Sequence, residues 1–240
     1  MEENNSPPFP IDVTNLSEKV YRFIKQRILQ SDYPPGYKLN VHQISQALGV
    51  SHTPVKDALA RLAGENLVEI SSRTGTYVKS ISGEEIHEII QTRIILETAV
   101  MEMVAKRITD AQLATLEEIY QKSEALAVQA NDREGYRAFM EHDSRFHLFF
   151  FQLAGNKRLL DIYRNLNAHM QFVRFRLMNH AGGKLPTTDR EHERILDALR
   201  ERNPAKAKEA IRNHLLKIDA TCIADREKSI GATEDGKGLR

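Results

Sequence analysis

Leu48-Gly49-Val50-Ser51-His52-Thr53-Pro54-Val55-Lys56-Asp57-Ala58-Leu59 is the stretch whose reading decides the fold. Gly49 breaks one helix, because glycine enters the left-handed region at no steric cost. Ser51 can cap the next helix, and Pro54 is tolerated in a first turn. Val55, Ala58, Leu59 and Leu62 then recur at helical spacing and form an inner face. The opposite face carries His52, Thr53 and Lys56. Before the break, residues 41–48 form a short helix with Ile44, Ala47 and Leu48 inward. Further upstream, Asn15-Leu16-Ser17-Glu18 has the capping-box form. Leu16, Val20, Phe23, Ile24 and Ile28 give that helix its apolar side, and Tyr33-Pro34-Pro35-Gly36 stops it. Downstream, two β-like runs, 67–70 and 76–78, flank a turn-rich tip at 71–75. Three short helices followed by a hairpin make a winged helix-turn-helix over 15–80.

Charge distribution agrees with that reading. Residues 17–80 hold nine Lys/Arg against five Asp/Glu, a net of +4; the whole chain is +1, which leaves −3 elsewhere. A basic head on a slightly acidic body suits a nucleic-acid reader. Cys222 is the single cysteine, so no intrachain disulfide forms, which favours a reducing compartment. No apolar run approaches the roughly 20 residues that span a bilayer. The acidic, proline-containing start lacks the apolar stretch of a signal peptide. The expectation is a cytoplasmic protein with no membrane partner, disordered over 1–14 and flexible over 227–240.

From Ser82 the pattern is helical to about residue 226. Ser82-Gly83-Glu84-Glu85 is a second capping box, followed by Ile86, Ile89, Ile90, Leu96, Val100 and Val104. Further starts are legible at Thr109-Asp110-Ala111-Gln112, Asn131-Asp132-Arg133-Glu134, Thr188-Asp189-Arg190-Glu191 and Asn203-Pro204. Ala154-Gly155-Asn156 separates the third helix from the fourth, which ends near Gly182-Gly183. Six helices with short connections make a mainly α domain over 81–226, a six-helix antiparallel bundle. Residues 80–83 are the expected hinge.

On the free face of the second motif helix, His52, Thr53 and Lys56 can donate to base edges or phosphates. The helix start, at Ser51, presents backbone N–H groups suited to a phosphate. Arg73 in the wing is placed for the DNA backbone or minor groove. Tyr33-x-Pro35-Gly36-x-Lys38-Leu39, then residues 48–62, Leu67-Val68 and Gly75-Thr76-Tyr77-Val78 together resemble the GntR family of transcriptional regulators. The helical remainder resembles the FadR-like (FCD) effector domain, and six helices instead of seven resembles its VanR-type branch. The resemblance implies DNA contacts at His42, His52, Thr53, Lys56 and Arg73. It departs from the family at His42, His52 and Lys56, where arginine is usual. Arginine offers guanine a two-pronged fork that His and Lys cannot copy, so the base preference is expected to differ.

Asp143 and His147 are one helical turn apart, in Glu141-His142-Asp143-Ser144-Arg145-Phe146-His147. His192 lies three before Ile195, and His214 three after Ile211, on or beside inner faces. Spacing alone leaves these as separately satisfied core histidines or as one converging set. The resemblance implies the set, since FCD domains commonly hold a metal with one Asp and three His in this arrangement. Asp143, His147, His192 and His214 match all four. Three imidazoles and a carboxylate suit Zn²⁺ first, with Ni²⁺ or Mn²⁺ as alternatives. Arg93 and Glu97 sit one turn apart in the first bundle helix; either they pair with each other, or Arg93 faces the carboxylate of an effector, as the resemblance implies. Tyr136, Arg137, Arg174 and Arg176 are further effector candidates. His142 is expected to face solvent or a neighbour.

Two functions follow. One is a ligand-responsive regulator, a repressor that binds a palindromic double-stranded operator as a homodimer and takes a small carboxylate effector at the metal. The other is a metal-dependent enzyme on the bundle, with the winged helix as a structural appendage. No clear general base stands beside the expected ligands, which argues for the regulator and against catalysis.

Overall fold

The computed structural model describes residues 14–129, 132–180 and 191–218. The chain divides into two compact units, 1–80 and 81–240. The first holds α1 (Thr14–Leu29), α2 (Val41–Leu48), α3 (His52–Gly64), β1 (Val68–Ser71) and β2 (Gly75–Val78). β1 and β2 pair antiparallel, from Val68 opposite Val78 to Ser71 opposite Gly75, and Lys38 bridges the outer side of Tyr77. This is the winged helix-turn-helix.

Local chemistry sets its corners. Asn40 caps α2, its side chain accepting from the His42 and Gln43 N–H groups. Gly49 ends α2 in the left-handed region at φ 66°. Tyr21 on α1 lies under the Arg61 guanidinium of α3, and its hydroxyl donates to Glu65 at 2.6 Å. Lys25 bonds the same carboxylate at 2.7 Å, so α1 and the far end of α3 are clamped. Val20, Ile24, Ile28, Val55, Leu59, Leu62, Leu67 and Val78 fill the core.

Several boundaries differ from expectation. α1 already includes Thr14, so Asn15 lies inside the helix and not at its cap, and Leu16 is exposed. α1 ends at Leu29, ahead of Tyr33, because Ser31 takes a positive φ of 54° and turns the chain early. On α2 the buried residues are Ile44 and Ser45, while Ala47 is exposed. The Ser45 hydroxyl is satisfied by the His42 carbonyl at 2.9 Å, which makes its burial tolerable.

The second unit holds α4 (Gly83–Ala105), α5 (Asp110–Gln129), α6 (Arg133–Leu153), α7 (Lys157–His180), α8 (Glu191–Arg200) and a last helix, α9, over 204–218. Ser82 and Glu85 form a reciprocal capping box on α4, and Thr109 and Gln112 another at the start of α5. Asn156 caps α7 and Asn203 caps α9, with Pro204 in the first turn of α9. The expected cap residues 188–190, the Gly182-Gly183 stop, Cys222 and both terminal segments lie outside the described residues. Phe146, Phe150, Phe151, Tyr163, Ile195, Leu199, Ile211 and Leu215 are fully buried in one cluster. Each large apolar side chain so buried contributes about 1.5–3 kcal/mol. Phe151 and Tyr163 stack at 3.9 Å between ring centres, which joins α6 to α7. Among the described residues no helix is long and apolar enough to cross a membrane.

At Gly49 an added Cβ would meet nothing within 4 Å, so Gly49→Ala suffers the backbone penalty alone. We expect this variant to lower the stability of the first unit by about 1 kcal/mol, read as a lower urea midpoint for its unfolding. An unchanged midpoint would contradict the assignment of that corner to glycine.

Candidate functional site

Two sets of residues stand out, one in each unit. In the first, Ser51 occupies the cap position of α3, yet its side chain makes no capping bond. Its hydroxyl and the first N–H groups of the helix therefore remain for an external acceptor. His52, Thr53 and Lys56 are exposed on one side of α3, while Val55, Ala58, Leu59 and Leu62 are buried on the other. His42 is exposed on α2, and its ring meets that of His52 nearly at right angles, 5.7 Å between centres. Arg73 is exposed in the three-residue tip between β1 and β2. There the Thr74 carbonyl accepts from the Tyr77 hydroxyl at 2.6 Å. The first unit thus offers hydrogen-bonding groups on a rigid helix start and on a wing.

In the second unit three imidazoles converge. His147 comes from α6, His192 from α8 and His214 from α9, and they are 1%, 1% and 3% exposed. His214 Nε2 lies 3.3 Å from His147 Nε2 and 3.3 Å from His192 Nε2. Among the described residues they form the one group of three metal-ligating side chains with gathered donor atoms. Two of the three Nδ1 atoms face carboxylates: Glu97 lies 2.7 Å from His147 Nδ1, and Glu191 3.0 Å from His214 Nδ1. A carboxylate there accepts a proton-bearing Nδ1, so in the neutral ring Nε2 is a bare lone pair. Two bare lone pairs at 3.3 Å repel unless a cation lies between them. Two imidazole nitrogens that share one ion at about 2.1 Å are separated by roughly 3.0–3.4 Å. The spacing fits.

Asp143 lies beside this group. It is 2% exposed. Its Oδ1 stands 3.7 Å from His192 Nε2 and is buried without a hydrogen-bond partner. Its Oδ2 accepts from Arg174. Such an orphaned oxygen is costly unless something positive reaches it. Burial works against the Asp143 charge, but Arg174 and the three histidines outweigh it and hold the carboxyl well below the usual range. Burial, then the neighbouring His214, push His192 well below its ordinary value. Burial also lowers His214, with the Glu191 bond opposing it. Both shifts favour the neutral form, the one a metal requires of imidazole.

Glu97 is the hub of the contacts behind these side chains. It accepts from Arg93 Nε at 2.8 Å and from the Tyr163 hydroxyl at 2.7 Å, besides facing His147. Burial opposes its charge, but Arg93 and then His147 hold it low. Arg93 is thus found in the ion pair. The spacing within α4 suggested that pair, but not its reach to His147 on α6. Glu191 and Arg174 were likewise not anticipated as partners of His214 and Asp143. Lys217 bonds the other Glu191 oxygen at 2.9 Å. Tyr136 donates to the Arg174 carbonyl at 3.4 Å, and Arg137 pairs with Glu134 at 3.0 Å. The side chain of Arg176 lies outside the described residues. His142 is partly exposed, its Nδ1 buried and unpartnered.

Comparison with known proteins agrees with both units. Residues 16–78 match the bacterial regulatory proteins of the gntR family, and 88–217 match the FCD domain. The chain belongs to the GntR family of bacterial regulators and carries an FCD domain. It is 27% identical over 215 residues to the HTH-type transcriptional repressor RspR of Escherichia coli (strain K12), covering 89% of this chain and 92% of that protein. It is also 27% identical over 198 residues to the HTH-type transcriptional regulator YdhC of Bacillus subtilis (strain 168), 82% of this chain and 84% of that one. The solved structure of E. coli McbR/YncC shares the fold, with a TM-score of 0.75 at 20% identity over 88% of this chain and 98% of its own. These relatives are transcriptional regulators, not enzymes, so the enzymatic alternative has no support.

Glu97→Gln keeps the size of the side chain and removes its charge. We expect a 10- to 100-fold loss of zinc affinity, measured by competition with a chromophoric chelator, with the far-ultraviolet spectrum unchanged. Undiminished affinity would show that Glu97 does not orient His147.

Proposed function

We propose that this chain is a ligand-responsive transcriptional repressor that binds a palindromic operator as a homodimer. His42, Ser51, His52, Thr53, Lys56 and Arg73 make the DNA contacts. In the helical unit Asp143, His147, His192 and His214 hold a divalent metal, which serves as the anchor for a small carboxylate effector. The observation that carries this reading is the convergence of three buried imidazole nitrogens beside an unpartnered carboxylate oxygen. Zn²⁺ suits that donor set best, and Ni²⁺ or Mn²⁺ are the alternatives. The bound ion supplies a Lewis-acidic position for a carboxylate oxygen. Glu97 and Glu191 orient His147 and His214 through their Nδ1 atoms, and Arg174 holds Asp143. Arg93 spends its Nε on Glu97 and also bonds the Tyr163 hydroxyl; it is the residue we assign to the effector carboxylate, which would have to compete with these partners.

Repression rather than activation follows one relative, the repressor RspR. The VanR-type branch is supported by six helices in the second unit among the described residues. A cytoplasmic location suits a protein whose partner is DNA. Effector binding would act on the operator by favouring one arrangement of the two reading heads, a coupling between distinct sites.

The test is a thermal-shift screen of the full chain against small organic acids, with and without zinc, repeated with His147→Ala and His214→Ala. We expect an acid that raises the melting temperature of the metal-loaded protein and releases its DNA. Both variants should lose zinc and the acid response while DNA binding persists. Retention of the acid response in both variants would overturn the metal-anchored effector site. DNA binding indifferent to metal and to every acid would overturn the ligand-responsive reading.

A further inference from the structure

The two histidines of the reading face touch, and the frame behind them is rigid. His42 is the second residue of α2 and His52 the first of α3. Asn40 fixes the start of α2, Gly49 its end, and buried Ile44, Val55 and Leu59 lock the two helices behind the exposed rings. The rings stand at 87°, an edge against a face, which aromatic pairs favour. Each ring therefore limits where the other can point.

A neutral imidazole has one N–H donor, whereas an arginine fork presents two toward one base. We infer that His42 and His52 read the operator as one unit, two imidazoles jointly supplying the pair of donors. In the major groove guanine alone shows two acceptors, N7 and O6, and no donor, so guanine is the base this unit suits, and the departure from arginine at these two positions changes the donors and not the base. Lys56 lies one turn beyond His52 on the same side of α3, and its single flexible ammonium suits phosphate. Arg73 belongs to the wing. Asp57 faces back to the Ser17 hydroxyl at 3.5 Å. Of the exposed groups at the two helix starts, Thr53 included, the histidines alone form a ring pair, so the paired reading is assigned to them. This inference rests on the DNA contacts proposed above and adds the base that two of them read.

The experiment starts from duplexes that the full-length protein enriches from a randomised DNA library. Affinity is then measured for wild type, His42→Ala, His52→Ala and the double variant. The probes are the best duplex and copies in which each guanine in turn is 7-deazaguanine, which lacks the N7 acceptor. We expect one guanine per half-site whose replacement weakens wild type about tenfold. Each single variant should bind the best duplex about tenfold worse, at least one of them should lose that discrimination, and the double variant should bind no more than about twofold worse than either single one. His42→Phe keeps a ring beside His52 but has no N–H; it should melt like wild type and bind the best duplex as weakly as His42→Ala. Losses that multiply in the double variant, discrimination kept by both single variants, or wild-type affinity in His42→Phe would overturn the paired reading. Failure to enrich any duplex would instead overturn the DNA contacts on which it rests.

Discussion

Buried imidazoles do not crowd one another with bare nitrogens unless something positive lies among them. That constraint organises the helical unit. The nitrogens of His147, His192 and His214 bring α6, α8 and α9 to one point. Glu97 ties α4 to the same point through His147, and Tyr163 ties α7 through Glu97. Phe146 packs against His192 at 4.4 Å between ring centres and walls off one side. The charges are matched in pairs, Arg93 with Glu97 and Arg174 with Asp143, so each buried carboxylate can stay ionised. With the pairs balanced, an added divalent ion carries an uncompensated charge, which is a physical reason for this bundle to attract an anion.

The winged unit solves a different problem. It must bury one side of two short helices and keep the other free of internal partners. The Tyr21–Arg61–Glu65–Lys25 cluster anchors α3 at its far end, which leaves its beginning unencumbered. Ser51 stands at the cap position without using its hydroxyl as a cap, a local loss that an external acceptor can repair.

Much of this was legible in the sequence because helix starts are local chemistry. Ser82 with Glu85, Thr109 with Gln112, and Asn203 with Pro204 all mark helices that the structure contains. The early end of α1 was not legible, since a serine at positive φ has no compositional signal, whereas the prolines downstream do. Ala47, expected inward, is exposed and Ser45 is buried, because polarity alone does not reveal that the His42 carbonyl satisfies the serine. In the helical unit, periodicity put His192 and His214 near inner faces but could not bring α6, α8 and α9 together. The roles of Glu97, Glu191 and Arg174 depend on contacts between helices far apart in sequence, to which no spacing rule applies. Arg93 shows the limit most clearly: its pairing with Glu97 was readable within one helix, and the onward link to His147 was not.

The central claim is that three imidazoles and one carboxylate meet at a single divalent ion. X-ray absorption spectroscopy of the zinc-loaded full-length protein tests it most directly, because the fine structure counts imidazole ligands. The account predicts one tightly held ion per chain with three imidazoles and at least one oxygen in its first shell. An ion lost on simple dialysis, or a shell with one imidazole or none, would contradict it.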